Sequence, residues 1–153
     1  MRSRVVGLGQ VAAGDDAVGL AVLDRIRQMG PPDGTELVAA RDATALVELL
    51  QTERRVVVVD AVVGHPRVGE VIELPEEALA AGPGGPRPLS THGVSFQQAV
   101  ALARMTSGGA LAPEIVLVAV AIAPPERYTT GLSPEVQAAV PVAARVVMAR
   151  IGG

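Results

Sequence analysis

Four consecutive valines, Val56-Val57-Val58-Val59, set the tightest limit on what this chain can become. A strand with one wet face alternates apolar and polar residues, so a run with no polar position must be covered on both faces. The stretch Ile115 to Ala123 repeats the pattern and stops at Pro124-Pro125. It is about half of the ~20 residues that a membrane-spanning helix needs, and reads as a buried strand. Val5-Val6-Gly7-Leu8-Gly9 is another such run, ending in glycines that suit a tight loop.

Helical patterns lie between these runs. Asp15-Asp16 opens a segment with Val18, Val22, Ile26 and Met29 at helical spacing, stopped by Gly30-Pro31-Pro32. Glu36 to Ala40 reads as a second strand and Thr44 to Leu50 as a short helix. The valine run is a third strand ending at Asp60, and Glu70 to Leu74 a shorter fourth. Ala80 to Pro88 is a Gly/Pro-rich surface loop, and Ser95 with Gln98 makes a capping box for a helix from Phe96 to Met105. Ile115 to Ala121 is the fifth strand. Ser133-Pro134-Glu135 starts the last helix with a capping serine, a proline at the first helical position and an acid in the first turn. Val136, Val140, Ala143 and Val147 give it an inner face, and Pro141 should kink it. Strands alternating with helices over 1–153 predict a single domain, a three-layer α/β/α sandwich with a mostly parallel sheet.

Composition removes whole classes of chemistry. The 153 residues include no Cys, which excludes thiol nucleophiles, disulfides and sulfur-ligated metals. There is no Lys, so neither a phosphate-loop lysine nor a Schiff base is possible. Phe96 and Tyr128 are the whole aromatic complement, too few for base stacking, and a net charge of −3 argues against a nucleic-acid surface. Arg2 and Arg4 before an apolar run and Ala12-Ala13-Gly14 resemble a signal peptide, but the glycines in that run spoil its helix. A cytoplasmic protein, without membrane or nucleic-acid partners, is the expectation.

In open parallel sheets ligands bind beyond the carboxyl ends of the strands. Asp15 and Asp16 follow strand one, Asp60 ends strand three, and His92 in Ser90-Thr91-His92-Gly93 precedes the capped helix. With strands one and three side by side, these groups converge on one edge as oxygen and nitrogen ligands for an exchangeable divalent metal. The positive end of the following helix would keep His92 neutral and able to coordinate. Each residue has a plainer explanation. Asp15 suits a helix cap, Asp60 a turn, His92 a loop bond to backbone, and His65 in Gly64-His65-Pro66 an exposed turn.

A rival reading is a dinucleotide-binding Rossmann-type fold. Gly7-Leu8-Gly9-Gln10-Val11-Ala12 matches its glycine fingerprint, and Asp42 could stand for the ribose-binding acid. Charge argues against it, because Asp15 and Asp16 occupy the helix start where a pyrophosphate would sit.

Taken together, these segments resemble the nickel–iron hydrogenase maturation endopeptidases over nearly the whole chain. Gly7-Leu8-Gly9-Gln10 through Gly14-Asp15-Asp16-Ala17-Val18-Gly19 resembles the family's opening G-x-G-N-x-L-x-x-D-[DE]-x-x-G motif. Val59-Asp60-Ala61 is similar to its second acidic motif, Gly69-Glu70-Val71 to the strand that follows, Ser90-Thr91-His92-Gly93 to its histidine motif, and Gly131-Leu132-Ser133-Pro134 to the start of its last helix. Gln10 stands where Asn is usual, Ala12-Ala13 where larger apolar residues are common, and Asp16 where many members carry Glu. Ala121-Ile122-Ala123-Pro124 varies a strand end that more often contains glycine.

The resemblance implies a phosphorylase/hydrolase-like fold with five strands in the order 2-1-3-5-4, strand four antiparallel. It implies one endoproteolytic cut removing the C-terminal tail of the hydrogenase large-subunit precursor after nickel insertion. Asp16, Asp60 and His92 are then the metal-contacting residues, and the nickel belongs to the substrate; another divalent metal such as zinc is also compatible. The chain is expected to be a monomer. No G-x-S-x-G elbow and no H-E-x-x-H helix is present, so the nucleophile left is water. Either a bound metal activates it or Asp16 acts as general base. A non-enzymatic nickel- or precursor-binding module and a self-contained metallohydrolase are the other readings.

Overall fold

The computed structural model describes residues 2–9, 14–75, 96–106, 108, 110–124 and 131–152. Strand β1 (Ser3–Leu8) leads to a 3-10 turn (Gly14–Ala17) and helix α1 (Val18–Met29). Strand β2 (Thr35–Ala40) is followed by a 3-10 turn (Ala43–Ala45) that runs into a single helical turn, α2 (Leu46–Leu49). Then come β3 (Arg55–Val63), β4 (Val71–Pro75), α3 (Phe96–Thr106), β5 (Ile115–Ile122) and α4 (Pro134–Ile151). Ser95, half of the expected capping box, and the Ala80 to Pro88 loop lie outside the described residues.

The sheet runs β2-β1-β3-β5-β4, parallel except for β4, which is antiparallel to β5. Both expectations for the sheet hold. The valine run Val56 to Val59 is wholly buried, at 0% exposure throughout, because helices cover both faces. Successive residues of β3 feed opposite layers. Val57, Val59 and Ala61 pack beneath α1 and α4, and Val56, Val58 and Val62 beneath α2 and α3. The inner face expected of α4, Val136, Val140, Ala143 and Val147, is buried.

Some boundaries differ from expectation. Strand β3 does not end at Asp60 but continues to Val63, because β5 keeps pairing with it from Asp60↔Ala119 to Val63↔Ile122. Asp15 and Asp16 lie in the 3-10 turn ahead of α1 and not in the helix itself. Met29 is exposed, since it sits in the last turn beside Gly30, whose left-handed φ of 75° ends the helix. Helix α4 passes through Pro141 unbroken.

Two ends of α4 are tied to the rest of the molecule. At its carboxyl end Arg55, at the start of β3, donates to the Arg150 carbonyl and pairs with Glu114 at 2.9 Å. Arg150 itself bridges Glu73 at 3.0 Å and Glu114 at 3.1 Å. The amino end is described below with the candidate site. Among the described residues no helix is long and apolar enough to cross a membrane.

Helix α1 lies close on the sheet because glycines meet there. A Cβ on Gly7 would sit 2.5 Å from the Gly19 carbonyl oxygen, and one on Gly19 would sit 2.7 Å from the Val59 oxygen and 2.8 Å from the Leu8 nitrogen. Those obstacles are helix and strand backbone, which cannot swing aside. Gly19→Ala should therefore lower the unfolding free energy by about 3 kcal/mol, despite the ~1 kcal/mol that alanine gains over glycine inside a helix. At Gly30, where no atom lies within 4 Å, the cost of alanine is only that of its positive φ, about 1–2 kcal/mol. Urea unfolding of the two variants checks this ordering; equal midpoints would contradict the close-contact account.

Candidate functional site

The chain leaves β1 at Gly9, whose N–H donates to the Ala40 carbonyl at 3.0 Å. Here β1 connects outward to β2 while its other neighbour is β3, so the sequence reverses direction across the sheet between β1 and β3. Such a reversal leaves a crevice at the carboxyl edge. The last β1–β3 pair is Gly7↔Val59, which puts Asp60 one residue beyond the point where the two strands part. Asp16 arrives from the other side on the 3-10 turn. Glycine again sets the distance, for a Cβ on Gly9 would come within 2.5 Å of the Asp16 carbonyl oxygen.

Asp16 and Asp60 line one small cleft with Leu8, Gly9, Arg41, Asp42 and Ala43. Its volume of about 20 Å³ admits one water-sized occupant. Asp60 is half-buried, and its Oδ1 accepts the Ala61 N–H at 2.8 Å. Burial pushes its carboxyl up from the ordinary 3.8 to about 7; the Ala61 bond opposes that rise and the charge of Asp16 adds to it. A cation placed between two such carboxylates would relieve both the desolvation and the repulsion.

The structure thus brings together Asp16 and Asp60 from the expected set. His92 lies outside the described residues. Among the described residues no three His, Cys, Asp or Glu side chains gather into a metal-binding cluster. His65 is not exposed as expected but half-buried, and its Nδ1 accepts the Arg67 N–H at 3.0 Å, as a turn residue would. Asp42 has a local task, accepting the Thr44 N–H at 3.0 Å to cap the second 3-10 turn. The rival dinucleotide reading loses its ribose-binding acid there, and two carboxylates stand at the helix start where its pyrophosphate belongs.

Asp15 corrects another expectation. It does not cap α1, which begins after Ala17 with no side-chain cap. Its carboxylate accepts two bonds from Ser133, the backbone N–H at 2.6 Å and the hydroxyl at 2.8 Å. Ser133 in turn makes no side-chain cap on α4, because its hydroxyl is committed to Asp15. Sequence reasoning assigned each a local cap and missed that they satisfy one another. It also missed Arg41, which reaches the cleft from the end of β2 with no local motif to mark it.

A family model described as HycI, hydrogenase maturation protease, matches residues 27–150. No curated protein matches the sequence. Among solved structures, the chain is similar to the hydrogenase maturating endopeptidase HybD from E. coli, with TM-score 0.75 and 25% identity over 98% of this chain and 91% of that one. It is similar to a further endopeptidase from Escherichia coli, with TM-score 0.72 and 28% identity over 97% and 91%. The NiFe hydrogenase maturation protease HycI from Thermococcus kodakarensis shares the fold, with TM-score 0.71 at 19% identity over 99% and 93%.

The Asp60 carboxyl has a measurable signature. Its pKa is raised in the folded chain, so between about pH 4 and pH 7 the folded state holds a proton that the unfolded chain has lost. Stability from this group therefore falls as pH rises through that window and levels off above it. Asp60→Asn stays neutral throughout and keeps an acceptor for Ala61. It should stabilise the fold by on the order of 1–3 kcal/mol near pH 8 and by almost nothing near pH 4. Urea unfolding at the two pH values tests this, and a variant equally stable to wild type at both would contradict a desolvated carboxyl.

Proposed function

The chain belongs to the hydrogenase maturation protease family, and on that premise we propose that it makes one endoproteolytic cut, removing the C-terminal tail of a nickel–iron hydrogenase large-subunit precursor after nickel insertion. The observation that carries this reading is the meeting of Asp16 and Asp60 in one cleft at the reversal point of the sheet. Asp16, Asp60 and His92 contact the nickel, which is part of the substrate and marks the precursor as ready to be cut. Two oxygen donors and one nitrogen donor, with no sulfur, suit a grip that must be released after each turnover. The raised pKa of Asp60 fits the same role, since its carboxyl sheds a proton when a cation takes its place.

The cut itself uses water, as the chain has no thiol. Asp16 serves as the general base. It takes a proton from the water as the water oxygen bonds to the scissile carbonyl carbon, and returns it to the leaving amide nitrogen as the C–N bond breaks. The nickel in the precursor supplies orientation and positive charge beside the developing oxyanion.

Mass spectrometry of the large subunit tests the proposal. Incubating a nickel-loaded precursor with this protein should release the tail as one fragment, while nickel-free precursor stays intact. Asp16→Ala, Asp60→Ala and His92→Ala, each still folded, should cut at least ~100-fold more slowly. Unchanged tail removal by His92→Ala would overturn the three-residue assignment. Binding of the precursor without any loss of mass would instead make this a nickel-reading module, and cleavage of unrelated small peptides with a tightly held zinc would make it a free-standing metallohydrolase.

A further inference from the structure

Residues 15 and 16 are adjacent acids that do different work. In a 3-10 turn each residue advances about 120° around the axis, so two neighbours cannot face the same way. Asp15 faces the start of α4, where Ser133 gives it two hydrogen bonds across 118 positions of sequence. With that direction fixed, Asp16 is turned toward the cleft it shares with Asp60. We propose that Asp15 and Ser133 form a positioning clamp that sets the reach of the Asp16 carboxylate.

The anchor is well placed to hold a loop still. The amino end of α4 carries the positive pole of its macrodipole, which favours a carboxylate there. The same first turn of α4 is braced on another side. Gly69 packs so closely that a Cβ on it would lie 2.9 Å from the Glu135 carbonyl oxygen, and the Gly69 N–H bonds to Ala121 of β5 at 2.8 Å. The 3-10 turn is thus fastened to a point fixed by the sheet. On its other flank, the chain just after β1 is held by the Gly9–Ala40 bond. Asp15 touches neither substrate nor nickel in this account, and it acts through Asp16.

This inference rests on the role given to Asp16 above, and two readouts separate the fate of each idea. The first is tail removal from the nickel-loaded precursor, measured per folded molecule well below the unfolding temperature. Asp15→Ala should lower kcat by about 10-fold or more with KM changed by less than about 3-fold, since misplacement penalises the reacting geometry more than docking. Asp15→Asn keeps the acceptor for the Ser133 N–H and offers the hydroxyl a partner, so it should restore most of the rate. Ser133→Thr should act like wild type, Ser133→Ala should fall between, and the double variant Asp15→Ala/Ser133→Ala should be no slower than Asp15→Ala alone. The second readout is the affinity of the isolated protein for Ni2+ by calorimetry, expected to weaken in Asp15→Ala and recover in Asp15→Asn. Wild-type kcat in Asp15→Ala overturns the clamp while leaving the proposed reaction standing. A wild-type chain that fails to cut, with Ni2+ binding that still follows the Asp15 series, overturns the reaction and leaves the clamp. A wild-type chain that fails to cut, with Ni2+ binding that ignores the Asp15 series, overturns both.

Discussion

The close seat of α1 on the strands β1 and β3 is the contact from which the rest of the architecture follows. Gly7, Gly9 and Gly19 remove side chains where helix, loop and strand backbones meet. That lets α1 begin almost on top of the carboxyl ends of the strands. Had any of the three carried a methyl group, the 3-10 turn before α1 would stand away from the sheet, and Asp16 would no longer oppose Asp60. Apolar packing of Val18, Val22 and Ile26 against the valines of β3 stabilises the contact, but packing alone tolerates small shifts. Backbone against backbone tolerates fewer.

Placing two carboxylates in a partly dry crevice works against the fold. The burial that raises Asp60 disfavours its charged form, and the same burial makes the crevice favourable for positive charge. Asp15 turns instead to the amino end of α4, so only one acid of the adjacent pair, Asp16, faces the crevice with Asp60. Asp15 pointing the same way would add its charge to the repulsion between Asp16 and Asp60. The division of labour between neighbours is therefore electrostatic as much as geometric.

Much of this was legible in the sequence, for identifiable reasons. The valine run announced a strand covered on both faces, and the glycines ending β1 announced a tight loop, because both signals are local. Asp60 stood out as the first polar residue after four valines. What escaped was non-local. The extension of β3 to Val63 depends on β5, more than 50 positions later, continuing to offer partners after β1 has stopped. The bond between Asp15 and Ser133 was hidden by two good local explanations, each residue being of a type that caps its own helix. Arg41 at the cleft follows from the path of β2 and has no spacing that would reveal it. The family resemblance supplied the strand order, which local pattern alone left open between several doubly wound arrangements.

The last helix is held at one end by a carboxylate from the first loop and at the other by a guanidinium from the third strand. A segment riveted at both tips has no free end from which to peel. Its opening is thereby yoked to the melting of the sheet, and damage at its carboxyl end is felt about 27 Å away, by the length of an 18-residue helix at about 1.5 Å per residue, at the turn that carries Asp15 and Asp16.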